Sequence, residues 1–224
     1  MGRRLMSVLP IRRASAATAL AEMLREELLS GTYAPGTPLR EADVVDREGV
    51  PTATAREALA ELARDGLVIH SLHRGVEVAR ISADEVHDIY AARRVFERAG
   101  LEALLRRRPV DVSWLEAAIE RMGEAAIAKD GRALVEADLA FHLALVAAAG
   151  SRRLTQAAQT ALMELRLVLS VADRARDDLP ALVADHQYLV EVFRGGHLRE
   201  ASSALEEHLS RARVMAAREA SEPD

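Results

Sequence analysis

Apolar positions recur with a helical period along most of this chain. Within residues 15–30 they fall at Leu20, Met23, Leu24 and Leu28, three and four apart, and Gly31 follows directly. That spacing predicts one amphipathic helix with a glycine stop. Pro35-Gly36 predicts a turn, residues 41–47 a short helix stopped at Gly49, and residues 53–64 a second short helix stopped at Gly66. Residues 67–70 and 76–79 are short strand candidates on either side of a tip at His73-Arg74-Gly75. Beyond Ser82 the pattern is that of long helices, over 82–107, 111–129, 131–149, 151–174, 179–194 and 197–219. Pro109, Gly131, Gly150, Pro180 and Gly195-Gly196 punctuate them, and Ser82-Ala83-Asp84-Glu85 has the spacing of a capping box.

Helix, turn, helix, turn, helix and a two-stranded ribbon is the order of a winged helix-turn-helix. The reading is therefore a mainly α chain with two domains. Residues 1–80 form the winged helix-turn-helix, with 1–13 a basic flexible tail, and residues 81–224 form an all-helical bundle of six or seven helices. The joint falls near 78–83 and is short, so the two parts should be mechanically coupled. Composition agrees: half of the 224 residues are apolar but only 3% are aromatic, which suits packed helices better than a sandwich or barrel. There is no cysteine, which excludes disulfides, thiolate metal sites and cysteine nucleophiles and fits a reducing, cytoplasmic location. The longest apolar stretch, residues 143–149, is too short to span a bilayer. Pro10 and Arg12-Arg13 interrupt the segment after Arg3-Arg4 that would otherwise imitate a secretion signal.

In a helix-turn-helix the second helix enters the major groove, with its first residues at the base edges. Here those residues are Thr52, Thr54 and Arg56, with Leu59 and Leu62 on the anchoring face. An arginine fork matches guanine O6 and N7, and threonine can touch a thymine methyl or a phosphate. Arg40 stands where the preceding helix would meet the backbone, and His73, Arg74 and Gly75 form the wing tip. Residues 1–80 hold as many acids as bases, so the net charge of −5 resides in 81–224. Phosphate contact therefore needs a local basic surface, such as Arg3, Arg4, Arg12 and Arg13 in the tail. The ordered set Pro35-Gly36, Leu39, Glu41, Gly49-Val50, Arg56-Glu57-Ala58-Leu59, Leu62, Gly66-Leu67 and Arg74-Gly75 resembles the N-terminal domain of the GntR family of bacterial transcription regulators. The resemblance implies binding to double-stranded operator DNA. The chain departs from the family where Pro51-Thr52 replaces the usual Ser-Arg, which removes a guanine-reading arginine. Thr54-x-x-Glu57 has capping-box spacing, which would start the reader helix late and bring Arg56 close to its beginning.

The second half carries a different chemistry. Asp138 and His142 are four apart and share a helical face, and His186 and His208 begin and end a helix–Gly-Gly–helix unit. One carboxylate and three imidazoles suit Zn²⁺, Ni²⁺, Mn²⁺, Co²⁺ or Fe²⁺, and the donor types alone do not choose among them. The same spacing also fits histidines satisfied within an Ala/Leu core. Tyr90-Ala-Ala-Arg93-Arg-Val-Phe-Glu97, Asp138-x-x-x-His142, Ala149-Gly150-Ser151 and His186…Gly195-Gly196…Ala201…His208 are together similar to the all-helical FCD effector domain of the FadR-type GntR regulators. That resemblance implies a divalent metal held by Asp138, His142, His186 and His208, a small carboxylate effector and a homodimer. An arginine can fork a carboxylate; Arg93 is the first candidate, with an ion pair to Glu97 as its structural alternative, and Arg166 is the second.

The expected function is thus a ligand-responsive transcription regulator, a repressor by resemblance, and not an enzyme. Four side-chain ligands leave less open coordination than the three usual at catalytic zinc. No His-Glu-x-x-His, Gly-x-Ser-x-Gly or phosphate-cradling glycine loop is present. The alternatives are a metal-dependent enzyme using the same cluster, or a helical interaction protein whose DNA binding is weakened by Pro51-Thr52.

Overall fold

The computed structural model describes residues 15–71, 75–172 and 179–221. It begins with α1 (Ala16–Leu29), whose first turn is closed by Ser15 Oγ accepting from the Thr18 N–H. Leu20, Leu24 and Leu28 are buried, while Met23 lies at the exposed edge of the same stripe. Then come α2 (Glu41–Glu48), α3 (Thr52–Arg64), β1 (Val68–Ser71) and β2 (Gly75–Val78). Gly49 ends α2 in the left-handed region, at φ 65°, which is why a glycine stands there. The strands pair antiparallel, with Val68 opposite Val78 and His70 opposite Val76. Pro38 bridges to Glu77 and so ties the turn before α2 to the wing. Leu59 and Leu62 of α3 are buried against α1, as their spacing predicts.

One sequence expectation fails here. Thr54 and Glu57 do not cap α3; the helix begins earlier, at Thr52, with Pro51 in the cap position. Pro51 sits at φ −59°, ψ 145°, an extended geometry that its ring pre-sets, and its missing N–H costs nothing at that point. Arg56 therefore lies a full turn inside the helix.

Six further helices make up the second domain: α4 (Ala83–Arg106), α5 (Ser113–Ala128), α6 (Gly131–Ala147), α7 (Arg152–Ala172), α8 (Leu179–Gly195) and α9 (Leu198–Glu219). The Ser82–Glu85 capping box is present in both directions and starts α4 where the sequence places it. Helix α6 runs through the middle of the bundle, packed on α4, α5 and α7, while α9 packs on α4 and α8. The approach of α4 to α6 depends on Gly100. A Cβ there would stand 2.0 Å from the backbone oxygen of Leu145.

The two domains share a seam. Leu167 of α7 is buried in the same cluster as Leu24, Leu28, Leu62 and Val78 of the first domain, and Met163 packs beside it. Arg132 of α6 forms an ion pair with Glu26 of α1. Among the described residues, no helix is long and apolar enough to cross a membrane.

Candidate functional site

Three helices bring three histidines to a common centre, one ring nitrogen of each within 4.8 Å of the others, with Asp138 beside His186. Asp138 and His142 project from one face of α6, His186 from α8 and His208 from α9. The Nε2 atom of His142 stands 3.4 Å from His186 Nε2 and 3.3 Å from His208 Nε2. The Oδ1 atom of Asp138 lies 3.0 Å from His186 Nε2 and 3.9 Å from His142 Nε2. All three histidines are buried.

The outer ring nitrogens explain why the inner ones face each other. His186 Nδ1 is 2.9 Å from the Leu182 carbonyl oxygen, which can only accept, so Nδ1 carries the proton. His142 Nδ1 is 2.7 Å from Glu97 Oε2, and Glu97 Oε1 accepts from Arg93 Nε at 2.9 Å. A neutral His186 with its proton on Nδ1 would point a lone pair at the Asp138 carboxylate. That contact is stable only with a cation between the two atoms, either a second proton on the ring or a metal ion.

The electrostatics follow from this geometry. Burial would raise the Asp138 carboxyl, but the hydrogen bond and charge of His186, with His142 and Arg93 behind them, hold it well below the ordinary carboxylate range. Burial would lower His186, and Asp138 reverses the sign and raises it. His142 is lowered by burial, with Glu97 opposing. His208 is pushed down to about 2 by burial and by the two neighbouring imidazoles. His142 and His208 are therefore kept neutral, as metal ligands must be.

Beside this centre is a cavity of about 40 Å³, lined by Tyr90, Arg93, Asp138, His142 and His208 and walled by Val135, Leu169, Leu182, Ala212, Met215 and Ala216, with Glu219 at its edge. Arg93 is 2% exposed, its guanidinium lies 4.7 Å from the centre of the Tyr90 ring, and it makes the Glu97 ion pair that the sequence offered as its structural alternative. Its Nη2 atom is buried with no hydrogen-bond partner among the described residues. Arg166, the second candidate, does not line the cavity; it pairs with Glu136. Glu136 and Asp138 are two residues apart and point about 200° apart around α6, so a partner of one is turned away from the other. Sequence reasoning assigned Glu97 only to Arg93. Its contact with His142, 45 residues along the chain, has no local signal.

The candidate DNA-reading face lies on the opposite domain. Arg40, Thr52 and Arg56 are exposed and Thr54 is half-buried. Arg56 forms a two-pronged pair with Glu41 of α2, Nε and Nη2 each 2.9 Å from a carboxylate oxygen. Its partner is thus an acid across the turn between α2 and α3. Gly75 is exposed at the start of β2, opposite Ser71. His73, Arg74 and the basic residues of 1–13 lie outside the described residues.

Comparison with known proteins covers both halves. Residues 16–78 match the family model described as "Bacterial regulatory proteins, gntR family", and residues 88–211 match the FCD domain. The chain is similar to the probable D-xylose utilization operon transcriptional repressor of Paenarthrobacter nicotinovorans, 24% identical over 200 residues, 88% of this chain and 87% of that one. It is also similar to the HTH-type transcriptional repressor GlaR of Escherichia coli, 30% identical over 143 residues, 59% of this chain and 63% of that one. Among solved structures, a putative transcriptional regulator GntR from Rhodococcus sp. RHA1 superposes with a TM-score of 0.78 at 30% identity, over 90% of this chain and 97% of that one.

Proposed function

The chain belongs to the GntR family of bacterial regulatory proteins, with an FCD domain behind its winged helix-turn-helix, and from that premise we propose that it is a homodimeric repressor that responds to a small carboxylate bound at a divalent metal in the helical domain. Transcription regulation through DNA is the family's business. The metal, the carboxylate and the dimer are our reading. Two relatives, the D-xylose utilization operon protein and GlaR, are named as transcriptional repressors.

The observation that carries the reading is the meeting of the three imidazoles, which offer one ring nitrogen each within 4.8 Å of one another, with Asp138 Oδ1 3.0 Å from His186 Nε2 beside them. The nitrogen–nitrogen separations of 3.3 and 3.4 Å equal the ligand–ligand edge of a tetrahedron with bonds of about 2.05 Å, which is close to 3.3 Å. Three imidazoles and one carboxylate suit Zn²⁺, Ni²⁺, Co²⁺, Mn²⁺ or Fe²⁺. When bound, such an ion supplies an electrophilic position for a carboxylate oxygen. Arg93 supports the effector half: it lines the cavity, and its buried Nη2 has no hydrogen-bond partner among the described residues, so an anion's oxygen that reached it would satisfy it. The cavity's volume is little more than that of one water, so an acid enters only as the walls give way, and the apolar lining suits a short hydrocarbon part.

On the DNA side, the Arg56–Glu41 pair is exposed to water and screened by salt, so a guanine or a phosphate can replace Glu41 as the partner of the fork. Thr52 and Thr54 occupy the first turn of α3 beside it.

Elemental analysis tests the metal half. Purified protein should carry close to one equivalent of a first-row divalent metal per chain, and His186→Ala should lose nearly all of it while keeping its helical circular dichroism. Equal metal in the two proteins would remove the site.

A further inference from the structure

The three histidines are not held alike. His186 donates its outer N–H to a backbone carbonyl, and His208 Nδ1 is buried without a hydrogen-bond partner among the described residues, with Asp185 the nearest acid at 3.9 Å. His142 alone is gripped by a buried carboxylate, that of Glu97, which is 1% exposed and whose other oxygen holds Arg93. We propose that Glu97 is the positioning residue of this centre: by accepting from His142 Nδ1 and Arg93 Nε together, it fixes which nitrogen of His142 faces the metal and ties the metal centre to the arginine at the cavity wall. The inference rests on the metal and effector reading above and adds to it the residue that joins the two.

The argument is one of donors and acceptors. An ionised carboxylate only accepts, so His142 must put its proton on Nδ1 and turn a bare Nε2 to the centre. The same carboxylate keeps the guanidinium from swinging away, so that Arg93 stays in the cavity lining. Because both contacts use one rigid group, moving Arg93 moves the support of His142. A carboxylate that draws on Arg93 therefore alters the hold on the metal, and the metal alters affinity for the carboxylate by the same factor. Packing alone would not need a charged group here, since an isolated buried carboxylate is costly unless paired.

Glu97→Gln isolates the role because it keeps the shape and removes one acceptor. The single amide oxygen goes to the charged Arg93, and the NH2 group is left against His142 Nδ1. That reverses the tautomer and puts a proton on Nε2, towards the metal. Metal-stripped wild type and Glu97→Gln are titrated with Zn²⁺ against a chromophoric chelator, with thermal unfolding of the metal-free proteins as the control. The expected result is a 10- to 100-fold loss of zinc affinity in Glu97→Gln, roughly the range for outer-shell partners, with metal-free unfolding little changed. Equal zinc affinity in the two folded proteins overturns the inference and leaves the metal site standing. No zinc binding by wild type overturns both. If Glu97→Gln does not fold, the imidazole ¹⁵N shifts of His142 in metal-free wild type decide: a protonated Nδ1 supports the role, and a protonated Nε2 overturns it.

Discussion

Gly100 and Glu97 lie on the same helix, and both are there for reasons that only the partner helix reveals. At Gly100 an added methyl would meet the backbone oxygen of Leu145 at 2.0 Å and the Cα of Val146 at 3.0 Å. Backbone atoms of α6 cannot step aside as a flexible side chain would. Gly100→Ala should therefore push α6 away from α4 and destabilise the protein by about 1–3 kcal/mol, measured as a lower urea midpoint. Because α6 carries Asp138 and His142, the same variant should hold metal more weakly. At this scale the sequence was legible where a pattern is local. Asp138 and His142 share a face because they are four apart, and the Arg93–Glu97 pair obeys the same rule. It was illegible where a helix has two plausible partners. Arg166 is a basic residue on a helix that borders the cavity, and only the position of Glu136 turns it elsewhere.

Helices announce themselves through periodicity and punctuation, which is why the six long helices and the wing strands fall close to where the apolar pattern puts them. The start of α3 falls within one residue of the expected 53, and the competing Thr-x-x-Glu spacing does not cap it because the proline's fixed φ sets the start at Thr52. What the pattern does not disclose is that α7 serves two cores. Leu169 lines the cavity, while Leu167 is buried among first-domain residues, and Glu164 lies against the Gly66 turn of the first domain. Residues two apart on a helix point to nearly opposite sides, so one segment can touch both bodies. This helix thus packs against both domains. Leu167→Ala should lower the stability of the winged domain by about 2–4 kcal/mol, seen as an earlier transition in its thermal unfolding, while metal content is unchanged. Loss of metal by this variant would show that the seam and the centre are not separable.

For the whole molecule, the winged domain and the helical domain that holds the histidine cluster share a buried seam. A ligand acts on DNA affinity only by binding the two states of the molecule unequally, and a typical coupling of 1–3 kcal/mol is about 5- to 150-fold. The succession of a winged helix-turn-helix and an all-helical domain was legible from the change of texture along the chain. The seam was not, because it is made by residues about 100 positions apart that carry no mutual pattern. The direct test of the account is the affinity of metal-loaded protein for duplex DNA from the promoters beside its own gene, followed by fluorescence anisotropy with and without a panel of compact carboxylic acids. The account predicts binding that weakens with salt and with Arg56→Ala, and that at least one acid changes by 10-fold or more in wild type but not in a His186→Ala, Arg93→Ala double variant. Duplex binding indifferent to Arg56, or an acid response that survives in the double variant, would contradict it.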